Sequence, residues 1–315
     1  AHRGPDDDSF FYNDHVAFGH RRLSIIDLNE RSNQPMEYEG LIIIFNGEVY
    51  NYEAIRVKLV NQGYQFSTEG DCEVVLKAYH KWGEDCVHHF KGMWSFAVYD
   101  NHNAALFCSR DRFGIKPFYY KIDNGCFYFG SEIKQLSGDN CSPVMDSIID
   151  YIVGGYVDHN ELTFFEGIVQ LPPSCNLTIS AARFEANITQ YFRLNDESGL
   201  AGGGDVKSLL DKSISEHLIA DVKVGSCLSG GLDSSYINYG VSKVQSDSIA
   251  LHCNSSDHKF SEKDKAEHVS QSLGITLEVI EPTIAEFKAD LDKLFYVQEQ
   301  PFGDPSVYMQ YCVMK

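Results

Sequence analysis

The stretch VKVGSCLSGGLDSS, residues 222–235, decides the fold of the second half of this chain. An apolar strand runs into Ser229-Gly230-Gly231 and then directly into a helix opened by Asp233, Ser234 and Ser235. Paired glycines let backbone N–H groups approach an anion closely, the helix N-terminus adds partial positive charge, and the hydroxyls add donors. An ordinary strand-to-helix turn capped by Asp233 or Ser234 is the bland alternative, and for a generic Gly-Gly turn it is the commoner one. The loop lies, however, at the carboxyl end of a strand that begins an alternating pattern: IALHC at 249–253, a helix over 261–273 closed by Gly274, then TLEVIE at 276–281. That alternation predicts a doubly wound parallel sheet, which binds ligands at the carboxyl ends of its strands. A carboxylate beside a phosphate cradle makes sense where Mg2+ bridges the two, so Asp233 points to a magnesium nucleotide site.

Upstream, the texture differs. Short β-type runs, LIIIF (41–45), WSFAVYD (94–100), AALFCSR (104–110), PFYY (117–120) and CFYFGSE (126–132), are separated by Asp/Asn/Gly turns. Helices are predicted over 52–62, closed by Gly63, and over 71–82. This half reads as α+β, the other as α/β. The polar, glycine-rich segment at 195–205 is the best linker, giving domains at 1–195 and 205–315.

Length and composition agree. At 315 residues with 43% hydrophobic and 23% charged side chains, two domains can each bury a core, and disorder as the dominant state is excluded. Lys+Arg 26 against Asp+Glu 45 gives a net charge of −19, which opposes nucleic acid and anionic membrane as partners. No apolar run reaches transmembrane length, and the nine scattered cysteines read as reduced thiols, so the expectation is a cytoplasmic protein.

In the first half, Phe45-Asn46-Gly47-Glu48 follows an apolar strand. Asn-Gly is the strongest short hairpin signal, yet an Asn amide and a Gly N–H can also converge on one oxygen as an oxyanion hole. Asp71 is a helix N-cap or an ammonium ligand, and Arg22 a carboxylate clamp or a surface charge. His20, His80, His88 and His89 show no metal spacing and read as surface or core-edge residues. The run Arg110 to Pro117 reads as a tight turn with local ion pairs.

HRGPDD, GHRRLSIIDL, FNGEVYNY, GDCEVVLKAYHKWGEDC, KGMWSFAVYD, RDRFGIKPFYY, GSEIKQL, LPPSCNLTI and DVKVGSCLSGGLDSS, in this order, resemble the glutamine-dependent asparagine synthetase family over essentially the whole chain. The resemblance implies an N-terminal class II glutaminase, a four-layer αββα sandwich of Ntn type, followed by an ATP-pyrophosphatase domain. It implies glutamine hydrolysis at the first site, and ammonia channelled to aspartate activated by ATP as β-aspartyl-AMP. By the same resemblance Arg22 and the Ile25 backbone hold the glutamine carboxylate, and Asn46 and Gly47 form the oxyanion hole. Glu48 lines the pocket and Asp71 binds the ammonium. Leu228, Ser229, Gly230, Gly231, Leu232, Asp233 and Ser234 form the pyrophosphate loop, Asp233 takes Mg2+, and Cys253 falls beside the adenine. A homodimer is compatible with it.

Family members open with a nucleophilic cysteine upstream of the HRGPD motif, whereas this chain begins inside that motif. It also ends at Lys315, ahead of the family's second glycine-rich loop and a catalytic lysine. The expectation is therefore an internal fragment without turnover of its own. The rivals are β-lactam or lasso-peptide type synthetases acting on another carboxylate, and a non-catalytic binding module. The full set of Arg22, Asn46, Gly47 and Asp71 argues against an ammonia-free synthetase, which needs none of them.

Overall fold

Runs such as Leu41-Ile42-Ile43-Ile44-Phe45 and Trp94 to Val98, apolar on both faces, call for a sheet covered on both sides. The computed structural model, which describes residues 2–138, 141–180, 185–194, 205–255, 257 and 259–315, provides that cover. The chain divides into two compact units, Ala1–Asp150 with Asp158–Gly202, and Tyr151–Val157 with Gly203–Lys315.

The first unit contains β1 (Asp7–Tyr12), β2 (Ala17–Arg22), β3 (Met36–Tyr38), β4 (Leu41–Val49), α1 (Tyr52–Val60), α2 (Asp71–Trp82), β5 (Gly92–Asp100) and β6 (Ala105–Arg110). It continues through β7 (Tyr119–Asp123), β8 (Cys126–Gly130), α3 (Met145–Gly154, which runs into the second unit), β9 (Val169–Gln170), β10 (Cys175–Ser180) and β11 (Ala186–Gln190). One antiparallel sheet has the order β11-β10-β6-β5-β4-β3. Its strands alternate faces: Phe107 points to the helices and stacks on Tyr79 of α2 at 5.0 Å, while Ala97, Tyr99 and Cys108 point the other way. There they meet Phe18 of β2, Phe118, and Phe127 and Phe129 of β8, with Phe118 stacked on Phe129 at 5.3 Å. These aromatics belong to the second β layer, β1-β2 together with β8-β7-β9. A thin outer layer follows, the 3-10 turn Ile133–Gln135, whose Ile133 is buried against Tyr119 and Phe165. The order of layers is the αββα sandwich.

The second unit runs α4 (Val206–His217), β12 (Gly225–Cys227), α5 (Leu232–Val244), β13 (Ile249–Cys253), α6 (Lys263–Leu273), β14 (Thr276–Ile280), α7 (Ile284–Gln298) and α8 (Ser306–Met314). Its sheet is parallel, in the order β12-β13-β14, as the alternation predicts. No helix among the described residues is long and apolar enough to cross a membrane.

Several readings are corrected. The strand expected at 222–228 shrinks to β12, because Asp221 to Lys223 are exposed and bring no apolar face to the sheet. The strand expected at 117–120 starts at Tyr119, since Pro117 has no N–H to donate. Between Arg110 and Pro117 the charges do not pair with each other. Asp111 instead accepts from the N–H groups of Phe113, Ile115 and Lys116, and Arg110 donates to the carbonyls of Gly114, Lys116 and Leu171. Most of the linker, 195–204, lies outside the described residues.

Candidate functional site

β4 is the element on which the first site is built. β3 pairs only with Leu41–Ile43, so beyond Ile43 one edge of β4 has no strand beside it. Successive residues of a strand turn their N–H and C=O to alternate edges. Phe45 N–H points off the free edge and donates to Gln34 Oε1 at 2.6 Å, its carbonyl takes His20, and Val49 N–H donates to Asp71 Oδ2 at 2.9 Å. Gly47, midway between, has the same parity, so its N–H also points off the edge. On the opposite strand the Trp94 carbonyl, facing Gly47 in register, accepts from Asp111 N–H at 2.9 Å and so is turned away.

Asn46 and Gly47 are thus mid-strand, not a hairpin turn, which corrects that alternative. Glycine is required here by close approach. A Cβ at Gly47 would lie 2.7 Å from Trp94 Cα and closer still to the Met93 carbonyl oxygen.

Off this edge opens a cavity of about 760 Å3, wholly within the first unit. Arg22, Ile25, Asn46, Gly47, Glu48 and Asp71 all line it. Asp71 opens α2, with Gly70 rather than Asp71 in the capping position. Its carboxyl is pushed up to about 7, by burial first, opposed by the Val49 N–H and reinforced by the charge of Glu48. A carboxylate so held gains from a cation entering the cavity, since the cation restores what burial removed.

Arg22, expected as a surface charge or a clamp, is buried at 6% exposure as the last residue of β2. Its Nη1 donates to the Asn29 carbonyl at 2.8 Å and to Asn33 Oδ1 at 2.7 Å, and its Nη2 donates to the Asp27 carbonyl. The guanidinium holds the loop after β2 and keeps its charge at the cavity wall.

Sequence reasoning missed other wall residues. His20 is the core-edge residue of the two alternatives, half-buried. It lines the cavity, bonds the carbonyl preceding Asn46, and burial lowers its pKa. Ser131 Oγ accepts from Asn46 Nδ2 at 3.4 Å. Lys116 also lines the cavity; burial lowers its pKa and Glu48 opposes that. Parity along β4 is the signal that finds Gln34 and His20, but only once the pairing is known.

In the second unit the loop Leu228 to Ser234 joins β12 to α5. Gly230 has φ +82°, and a Cβ there would meet Lys265 Cβ at 2.5 Å, so only glycine fits. Ser229 N–H donates to Ser234 Oγ at 3.2 Å, and the two hydroxyls lie 3.0 Å apart. Asn238, also missed, clamps the loop from below by donating to the carbonyls of Cys227 (3.0 Å) and Ser234 (2.8 Å). Asp233 is exposed in the first turn of α5, where the N–H groups have no intrahelical partners. No cluster of three or more His, Cys, Asp or Glu that could hold a metal occurs among the described residues. A single carboxylate in the first turn of a helix nonetheless fits Mg2+ where phosphates and water supply the other ligands. Cys253 ends β13, the strand beside β12.

A family model described as a glutamine amidotransferase domain matches residues 1–192, and one described as asparagine synthase matches residues 205–315. Among curated proteins, asparagine synthetase [glutamine-hydrolyzing] 1 of Bacillus subtilis is 35% identical, covering 100% of this chain and 51% of that protein. Asparagine synthetase 3 of the same organism is 40% identical over 75% of this chain and 40% of its own length. Asparagine synthetase 2 is 33% identical over 78% and 35%. The chain spans about half the length, or less, of these relatives.

Proposed function

The chain belongs to the glutamine-hydrolysing asparagine synthetase family, and from that premise we propose that it carries the glutamine site and the first nucleotide loop of an ATP-dependent enzyme that makes asparagine from aspartate and glutamine. In this reading 1–195 is the glutaminase domain and 205–315 the beginning of the synthetase domain. One observation carries the first half: Arg22, Ile25, Asn46, Gly47, Glu48 and Asp71, drawn from β2, β4, α2 and the loop after β2, line one cavity.

Asp71 takes the glutamine ammonium and Arg22 the carboxylate, with the Ile25 backbone beside it. The Gly47 N–H and the Asn46 amide stabilise the oxygen that gains charge when the side-chain amide is attacked. Glu48 sits at the amide end. Cys72 lines the same cavity, but burial and the neighbouring Asp71 raise its thiol well above the ordinary range, so it is a poor nucleophile. The polypeptide 1–315 by itself is therefore proposed to bind glutamine without hydrolysing it.

In the second domain the pyrophosphate of ATP is held by the N–H groups of Ser229 to Ser234 and their hydroxyls, Asp233 carries Mg2+, and the adenine lies beside Cys253. ATP supplies the activation of the acceptor carboxylate. A cytoplasmic setting, in which the nine free thiols stay reduced, and a homodimer fit this reading.

The test is made on the complete natural polypeptide. With glutamine labelled at the amide nitrogen, label should enter asparagine, with pyrophosphate released only when aspartate is present. Release with a different carboxylate and none with aspartate refutes the acceptor.

A further inference from the structure

The cysteines give no pairing signal in sequence, yet two of them meet in the second unit. Cys253, the last residue of β13, directs its Sγ at Met309 Sδ of α8, 3.7 Å away. One helical turn beyond Met309 on the same face stands Cys312, near enough to Cys253 to add to the rise in its pKa. Both thiols are free and half-buried, so small oxidants reach them, while Cys72, Cys86, Cys108 and Cys175 are buried. This sulfur cluster adjoins the nucleotide loop: Cys253 follows His252, whose Nδ1 lies 2.8 Å from the Leu228 carbonyl, and Leu228 N–H donates to the Leu251 carbonyl at 2.9 Å.

We propose that Cys253 and Cys312 are an oxidisable pair whose disulfide ties α8 to the end of β13 and closes the nucleotide loop to ligand. The nucleotide half of this rests on the function proposed above. The disulfide itself rests only on the packing of Cys253 against Met309 and the place of Cys312 one turn along α8.

The oxidant is a peroxide. Burial pushes the Cys253 thiol up to about 11, with Cys312 adding to the rise, so the first attack falls to Cys312. Its sulfur takes one peroxide oxygen, the O–O bond breaks, and hydroxide leaves with the thiol proton as water. Cys253 then attacks the sulfenic sulfur. The S–S bond forms, and the sulfenic hydroxyl departs as a second water with the Cys253 proton. Two S–H bonds are lost and one peroxide is reduced. A disulfide holds the two sulfurs about 2.05 Å apart. The Cys253 side chain, which already faces α8, is then fixed to it, and the end of β13 with it.

Hydrogen peroxide is added to the reduced 315-residue chain, which is then digested for peptide mass spectrometry. Binding of ATP with Mg2+ is measured before and after, with Cys312→Ser as the control. The expected result is a peptide joining Cys253 to Cys312, lighter by two hydrogens, with loss of ATP binding that dithiothreitol restores and that C312S does not show. Thiols left unpaired, or paired otherwise, overturn the proposal, as does a cross-link that leaves ATP binding unchanged. A cross-link in a chain that binds no ATP even when reduced supports the thiol pair and refutes the nucleotide reading instead.

Discussion

Replacing Asp71 with asparagine separates what this carboxylate costs the fold from what it gives the ligand. Burial moves its pKa from an ordinary 3.8 to about 7. The unfolded chain then ionises at lower pH than the folded one, and folded stability falls as pH rises through the window from about 4 to about 7. Above it the ionised group costs the empty protein about 4 kcal/mol, an upper figure, because relaxation of the cavity reduces it. Asp71→Asn removes that charge and keeps an oxygen for Val49. The variant should therefore unfold at higher temperature than the parent at about pH 8, and the difference should vanish near pH 4.

Glutamine binding should move the opposite way. The ammonium needs the carboxylate ionised, so affinity of the parent should weaken below pH 7, to about 30-fold weaker at pH 5.5 than on its alkaline plateau. Proton release should accompany binding in the same range, and Asp71→Asn should lose the affinity altogether. Titration calorimetry in two buffers of different ionisation enthalpy reads all of this. Affinity independent of pH between 5.5 and 8, or a variant that binds glutamine as the parent does, would refute the reasoning.

Gly47→Ala should lower stability by about 1–3 kcal/mol, because its Cβ must displace the Met93 carbonyl and Trp94, and glutamine binding should be lost with it. Chemical denaturation and calorimetry check the two effects. Gly230→Ala forces φ +82° on a residue with a Cβ and presses it on α6, so ATP binding should fail in a chain about 1–3 kcal/mol less stable. Asp233→Ala, at an exposed position, should leave thermal unfolding unchanged and abolish only the Mg2+-dependent part of ATP binding. Glu73 is buried, but hydrogen bonds from Lys77, Thr68 and Ser67 outweigh burial and hold its carboxyl down to about 2. Its contribution is full above about pH 4.5 and lost as pH falls toward 2. Glu73→Gln should flatten that acid limb and cost about 3–5 kcal/mol at neutral pH by stranding the buried Lys77 ammonium, as acid and urea unfolding will show.

Much of this was legible in the residues because it is local. Alternating strand and helix patterns placed β13, β14, α5 and α6 within two residues, since period and capping are properties of a short window. Helix α2 was read end to end from Asp71 and Trp82. β1, β2, β10 and β11 were not, because their apolar residues earn strand geometry only by facing other strands; β2, for instance, interleaves Phe18 with Gly19, His20 and Arg21. Helices α7 and α8 escaped for a similar reason: α8 mixes aromatic, sulfur and polar side chains without a clean apolar stripe.

The sequence by itself determined the two domain types, the order of the motifs and six of the residues that line the cavity of the first unit. Tertiary structure decided where each residue lies and what surrounds it. Asn46-Gly47 is a turn or a strand depending only on β5, far along the chain, and Asp71 is a cap or a ligand depending on how deeply α2 is buried. Hydrogen-bond parity and desolvation are set by neighbours in space, so a one-dimensional pattern can name a functional group without fixing which way it points or what charge it carries.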